Sequence, residues 1–168
     1  MINWMYFPKT SYADDISLKI IQAFKDEEDN IDSTRFTLHS DDVLKKIKPK
    51  MNKIGFEVEM SKKKEDLIHV PVMFGMNGKS ELAFEADAYL CEYGYVVEIE
   101  AGRAVTNYQF LKDFYEACMM YNVSYLCIAV RNVYRKSADF QKVCSFFDAM
   151  YSNKRISIPL KGLLVIGY

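Results

Sequence analysis

Hydrophobic positions in the first third of the chain recur at helical spacing. Ile16, Ile20, Ile21 and Phe24 follow a Ser11-x-x-Asp14 start that predicts an N-cap at Ser11, and the polar run over 25–30 ends that helix. Ser40-Asp41-Asp42 opens a second helix with Val43, Leu44 and Ile47 on its apolar side and Lys45, Lys46 and Lys48 on the other, while Pro49 is expected to limit its regular length. From Gly55 the period falls to two. Phe56, Val58 and Met60 alternate with Glu57 and Glu59, and the run 67–74 predicts another strand, in which Pro71 signals an edge or a bulge. Two more strands are expected over about 80–90 and 94–101.

The second half alternates helix and strand. Thr106-x-x-Gln109 reads as a capping box, and Phe110, Leu111, Phe114, Ala117, Cys118 and Tyr121 form the apolar stripe of the helix it opens. Residues 124–130 are nearly all apolar, as in a strand buried on both faces. Ser137 is expected to cap a helix carrying Phe140, Val143, Cys144, Phe147, Met150 and Tyr151, and 163–166 is a final short strand. Two helices, an antiparallel four-strand run, then helix, strand, helix, strand predict an α/β fold with a mixed central sheet flanked by helices. A length of 168 residues suits one domain, with a helical amino-terminal part over 1–54 and the core sheet and helices over 55–168.

Composition excludes several classes. No apolar run approaches the roughly 20 residues that cross a bilayer, so no membrane partner is expected. The start Met1-Ile2-Asn3-Trp4-Met5-Tyr6-Phe7-Pro8 lacks the pattern of a secretory signal, which leaves the cytoplasm as the expected compartment. Cys91, Cys118, Cys127 and Cys144 show no CxxC pairing, so neither a disulfide framework nor a zinc knuckle is expected. His39 and His69 stand apart from any metal-ligand or catalytic pattern. The 22 basic and 23 acidic residues give a net charge of −1, but the balance hides a segregation. Residues 41–64 carry eight lysines and four acids, 65–100 one lysine and eight acids, and 131–161 seven bases and two acids. An acidic middle lies between basic flanks, which matters for binding only if the flanks converge on one face.

Much of the acidic charge falls in one predicted hairpin. With Glu92-Tyr93 as its loop, Asp87 stands opposite Glu98 and Glu85 opposite Glu100. The four carboxylates then share one face, while Phe84, Ala86, Ala88 and Leu90 share the inward face with Tyr95, Val97, Ile99 and Ala101. Like charges directly opposed on a sheet are destabilising. Three readings remain open: a fully solvated face, a register slipped by one, or a divalent cation that converts repulsion into binding, for which carboxylate and carbonyl oxygens are the preferred ligands.

Asp87 on one strand, Glu98-Ile99-Glu100 on the next, then a helix and an apolar strand resemble the PD-(D/E)xK nuclease superfamily, which includes the type II restriction endonucleases. The resemblance spans about 82–130 and implies a restriction-endonuclease-like core of order αβββαβ. It further implies Mg²⁺ (or Mn²⁺) held by Asp87, Glu98 and the Ile99 carbonyl, with Asp87, Glu98 and Glu100 as the catalytic residues of a DNA endonuclease. Ala86 stands in place of the motif proline and Glu100 in place of its lysine; a carboxylate cannot stabilise the phosphorane as a cation, but it can orient the attacking water. Arg103, Asn107, Arg131 and Arg135 are the expected nucleic-acid contacts, RNA not being excluded, and a homodimer is expected because two strands need two sites. The alternative is a non-catalytic nucleic-acid-binding or assembly domain that keeps the nuclease fold.

Overall fold

The computed structural model describes residues 1–153 and 155–168. A mixed six-stranded sheet forms its centre. Strand β1 (Asn3–Phe7) lies at one edge, and helices α1 (Asp15–Lys25), α2 (Glu28–Ile31) and α3 (Ser40–Ile54) follow it. Then come β2 (Glu57–Val58), β3 (Ile68–Phe74), β4 (Ser80–Ala86), β5 (Ala88–Leu90), β6 (Tyr95–Glu100), α4 (Gln109–Met119), β7 (Tyr125–Val130), α5 (Asp139–Ser152) and β8 (Gly162–Gly167). The large sheet runs β1-β8-β7-β6-β5-β2, and β3 and β4 form a separate antiparallel ribbon. No helix among the described residues is long and apolar enough to cross a membrane.

Strands β6, β7 and β8 are parallel and joined through α4 and α5, which places both crossover helices on one face. There Phe110, Phe114, Val143 and Phe147 pack on Val96, Leu126, Ile128, Leu163 and Val165. The opposite face receives Ile16, Ile20 and Phe24 of α1 and Val43, Ile47 and Met51 of α3 against Val97, Ile99, Cys127, Ala129, Leu164 and Ile166. A sheet covered on both faces explains why β7 and β8 are continuous apolar runs. It explains β1 too: Tyr6 packs into one cluster and Phe7 into the other, so 3–7 shows no alternation that would mark it as a strand.

Local departures from the sequence expectation have physical causes. Asp14, not Ser11, caps α1, its Oδ1 accepting the Ser17 N–H at 2.9 Å. Helix α3 continues through Pro49 to Gly55, whose φ of 113° ends it, because Met51 beyond the proline is fully buried in the core. The capping box at Thr106 does not form; α4 starts after Tyr108, which has φ 52°, and Tyr121 lies beyond the helix. Ser137 donates to the Asp139 carboxylate, and Ala138 occupies the cap position of α5. The strand expected over 80–90 is interrupted at Asp87, so the four consecutive strands do not form one sheet: β2 pairs with β5, and β3 only with β4. Pro71 does mark an irregularity, with register shifts on either side of Met73.

Candidate active site

Asp87 is the residue at which the chain changes sheets. Ala86 closes the ribbon strand β4, and Ala88 opens β5 in the main sheet. The hairpin has the expected register, with Ala88 opposite Val97 and Leu90 opposite Tyr95. Pairing stops one residue short of Asp87. Glu59 and Asp87 are joined through the backbone, the Glu59 N–H donating to the Asp87 carbonyl at 2.9 Å. The Ile99 N–H, which β5 is too short to pair, donates to Asp87 Oδ2 at 2.8 Å. In an extended strand the N–H and C=O of one residue point to the same side, so the Ile99 carbonyl also faces the Asp87 edge.

The break revises two expectations. Glu85 does not stand opposite Glu100; it pairs with His69 in the ribbon and is exposed. Ala86 packs with Phe110 and Val96, whereas Ala88 packs with Val97 on the other face of the sheet. The acidic face is therefore not an outer, solvated face. Glu98 and Glu100 alternate with Val97 and Ile99 and point to the side that α4 covers.

Between β6, α4 and the β4–β5 bend lies a pocket of about 340 Å³, lined among others by Glu59, Lys62, Asp87, Glu98, Glu100 and Asp113. Helix α4 turns a polar stripe to it. Gln109 Nε2 donates to Asp113 Oδ1 at 3.1 Å, and Lys112 pairs with Glu116 at 3.1 Å. Asp113 is only 5% exposed, and its Oδ2 is buried without a hydrogen-bond partner. From the opposite wall Lys62 Nζ approaches Glu59 at 3.0 Å and Asp87 and Asp41 at 3.7 Å each.

Acids outnumber cations here, and burial acts on Asp87, Glu98, Glu100 and Asp113. Desolvation pushes Asp87 up to about 6, against the opposing pull of the Ile99 N–H and Lys62. Glu98 is held well above the ordinary carboxylate range by desolvation and then by Asp87, Asp113 and Glu100. Glu100 is raised to about 8 by desolvation and by the charges of Asp113 and Asp87. Asp113 reaches about 7 through desolvation, with Gln109 and Lys112 opposing. Carboxyls that resist ionisation in one pocket are a feature of functional sites.

The donor set suits a hard divalent cation. It consists of carboxylate oxygens and a backbone carbonyl, and the orphaned Asp113 Oδ2 is an unused acceptor at its wall. Among the described residues no three His, Cys, Asp or Glu side chains form a ready-made metal cage. The acids line the pocket rather than converging on a point, as mutual repulsion requires when Lys62 is the main cation among them.

The four expected nucleic-acid contacts separate. Arg103 is exposed and lines a cleft with His39, Ser40, Glu100 and Gln109, next to the acidic pocket. Asn107 is exposed, its N–H donating to the Arg103 carbonyl at 3.1 Å. Arg131 is not on an open loop: it is 5% exposed and donates to the Leu38 carbonyl. Arg135 is exposed and lies 5.2 Å over the Tyr134 ring.

Sequence reasoning missed Asp113 and Lys62 and set Glu59 aside. Gln109 and Asp113 stand at i, i+4 and Glu116 follows three residues later, a polar stripe overshadowed by the apolar one on the same helix. Glu59 is buried and Met60 exposed, so the alternation from Phe56 reverses after Val58, where β2 ends. No protein-family model matches the chain, and no curated protein matches it significantly.

Proposed function

We propose that the chain is a Mg²⁺-dependent or Mn²⁺-dependent phosphodiesterase that cleaves DNA in the acidic pocket. The observation that carries this reading is that Asp87, Glu98, Glu100, Asp113 and Glu59, drawn from the β4–β5 bend, β6, α4 and the end of β2, line one pocket. Keeping so many acids together in a protein interior is costly unless a cation neutralises them. Asp87, Glu98 and the Ile99 carbonyl would hold the ion. When bound, it supplies positive charge to the phosphodiester and eases ionisation of the attacking water.

The chain's own residues divide the remaining work. The Ile99 N–H fixes the Asp87 carboxylate at the rim. Glu100, raised to about 8 by burial and its acidic neighbours, is suited to orient a water and take its proton near neutral pH. Gln109 holds Asp113 in place through Oδ1. Lys62 sets a positive charge beside Asp87, the charge that Glu100 does not bring to the last motif position. A homodimer would present two such pockets to the two strands of a duplex.

A second reading, a non-catalytic nucleic-acid-binding domain, is favoured by Glu100 itself, which fills the lysine position with a carboxyl that burial and its acidic neighbours raise to about 8. Nicking of supercoiled plasmid in Mg²⁺ or Mn²⁺ separates the two. Cleavage by the wild type that is abolished in Asp87→Asn and Glu98→Gln supports the enzyme. Absence of cleavage together with retained DNA binding supports the binding domain.

A further inference from the structure

A second pocket, of about 470 Å³, opens at the end of β7, and its chemistry is opposite to that of the acidic one. Arg131, Arg135 and Tyr134 line it together with Ser33, Thr34 and Thr37; the Ser33 hydroxyl donates to the Tyr168 carbonyl and the Thr34 hydroxyl to Asp32 Oδ1 at 2.8 Å, so the guanidiniums are the main donors the pocket offers. Arg131 is nine-tenths buried, yet among the described residues no carboxylate lies within ion-pair distance of its guanidinium. Its partners are neutral: the Leu38 carbonyl, the Tyr168 phenol and the Tyr134 ring, 5.0 Å from the guanidinium carbon. A buried, unneutralised cation facing a cavity is costly unless an anion enters.

The loop carrying Arg135 is built in an unusual way. Tyr134 and Ser137 exchange backbone hydrogen bonds at 2.8 and 2.7 Å, closing a tight turn whose two central residues, Arg135 and Lys136, have φ of 45° and 69°. Both central positions of such a turn strongly favour glycine or asparagine. Two long cations there give up backbone ease for the placement of their side chains, an observed outlier of the kind that points to function. The turn brings Arg135 over the same ring that Arg131 covers. Gly102 in turn supports Tyr134: a Cβ on it would fall 2.8 Å from Tyr134 Cε2. With two guanidiniums and the Gly102 backbone against it, Tyr134 is a platform that aims the arginines, not a free stacking surface.

Gly102 lies two residues beyond Glu100, so this platform rests on the chain leaving the acidic strand. The intervening cleft of about 240 Å³ shares Ser40, Glu100 and Gln109 with the acidic pocket and adds Arg103. We infer that the Arg131–Arg135 pocket is a backbone-phosphate subsite of a nucleic-acid strand that runs past Arg103 to the acidic pocket. The inference rests on the nuclease reading for the direction of the strand but not for the binding itself. Guanidinium forks are the usual partners of phosphate oxygens, and such contacts position a strand without reading its sequence.

The test is fluorescence anisotropy of a labelled DNA duplex of about 20 base pairs in EDTA, where cleavage plays no part, across a range of salt concentrations. Arg135→Ala, at an exposed position, is expected to weaken binding about tenfold and to lower the slope of log affinity against log salt by about one. Arg131→Lys should weaken it further, and Lys19→Ala on the exposed side of α1 should leave it unchanged. Wild-type affinity in Arg135→Ala, or a wild type that binds inorganic phosphate but no duplex, overturns the inference. Arginine-dependent duplex binding by a protein that neither binds Mn²⁺ nor nicks DNA upholds the subsite and removes the nuclease reading instead.

Discussion

The Ile99 N–H donates to Asp87 Oδ2 at 2.8 Å, and this one bond ties the bend between the two sheets to the middle of the acidic strand. It exists because β5 begins only at Ala88, leaving the Ile99 edge of β6 unpaired. The carboxylate completes the ladder that the backbone has left, and it is thereby fixed at the mouth of the pocket.

Asp87→Asn separates the structural part of this bond from the charge. The amide oxygen still accepts from Ile99, so the melting temperature should stay within a few degrees of wild type, corresponding to about 1 kcal/mol. Mn²⁺ affinity and DNA nicking should fall by at least about a hundredfold. Asp87→Ala removes the acceptor as well and should cost a further 1–3 kcal/mol or so, readable by denaturant titration.

Stability of the metal-free protein should fall as pH rises. Asp87, Glu100 and Asp113 have folded values of about 6, 8 and 7 against ordinary values of 3.8, 4.5 and 3.8, so above about pH 4 the folded state holds protons that the unfolded chain has released. The stability they confer is therefore fully present only below about pH 4 and is lost progressively as pH climbs from there to about 8. Thermal melts in EDTA should show this decline, and Glu98→Gln, which removes one of the raised carboxyls, should flatten it and raise stability at pH 8. Millimolar Mg²⁺ should restore the wild type at pH 8 and do little at pH 5.

Lys62 draws the Asp87 carboxyl downward, in opposition to burial. Lys62→Met should therefore raise the Asp87 pKa and move the acid limb that this carboxyl sets, read by NMR titration of the metal-free protein, to higher pH. It should also lower the cleavage rate about tenfold or more through lost positive charge. Lys62→Arg, which keeps the charge, should leave the limb near its wild-type position.

Pro49 tests the fold away from the site. It sits inside α3 without an N–H to donate and with its ring against the preceding turn, while Met51 behind it anchors the helix in the core. Pro49→Ala should raise stability by about 1–3 kcal/mol in chemical denaturation without altering Mn²⁺ binding.

The parts of the molecule with a regular period were legible in the sequence. The apolar stripes of α1, α3, α4 and α5 and the unbroken run of β7 lead to a mixed sheet with helices against it, and the register of Ala88 on Val97 follows once the hairpin is centred on Glu92-Tyr93. Placement of Glu98 and Glu100 on one face was equally legible. Three things were not. A single residue, Asp87, diverts β4 into a ribbon with β3, and alternation continues through it without a mark. Asp113 shares its helix with a strong apolar stripe, and its burial comes from packing across the sheet. Arg131 lies just past β7 and looks like a loop cation until the Leu38 carbonyl, far away in the chain, is seen to receive it.

Calorimetric titration of the metal-free protein with Mn²⁺ at pH 7.5 tests the central claim most directly. The acidic pocket should bind the ion, with proton release as the raised carboxyls ionise, and the binding should disappear in both Asp87→Asn and Glu98→Gln while each variant retains a cooperative melt. Titration heats indistinguishable from dilution in the wild type, or binding that survives in both variants, would contradict it.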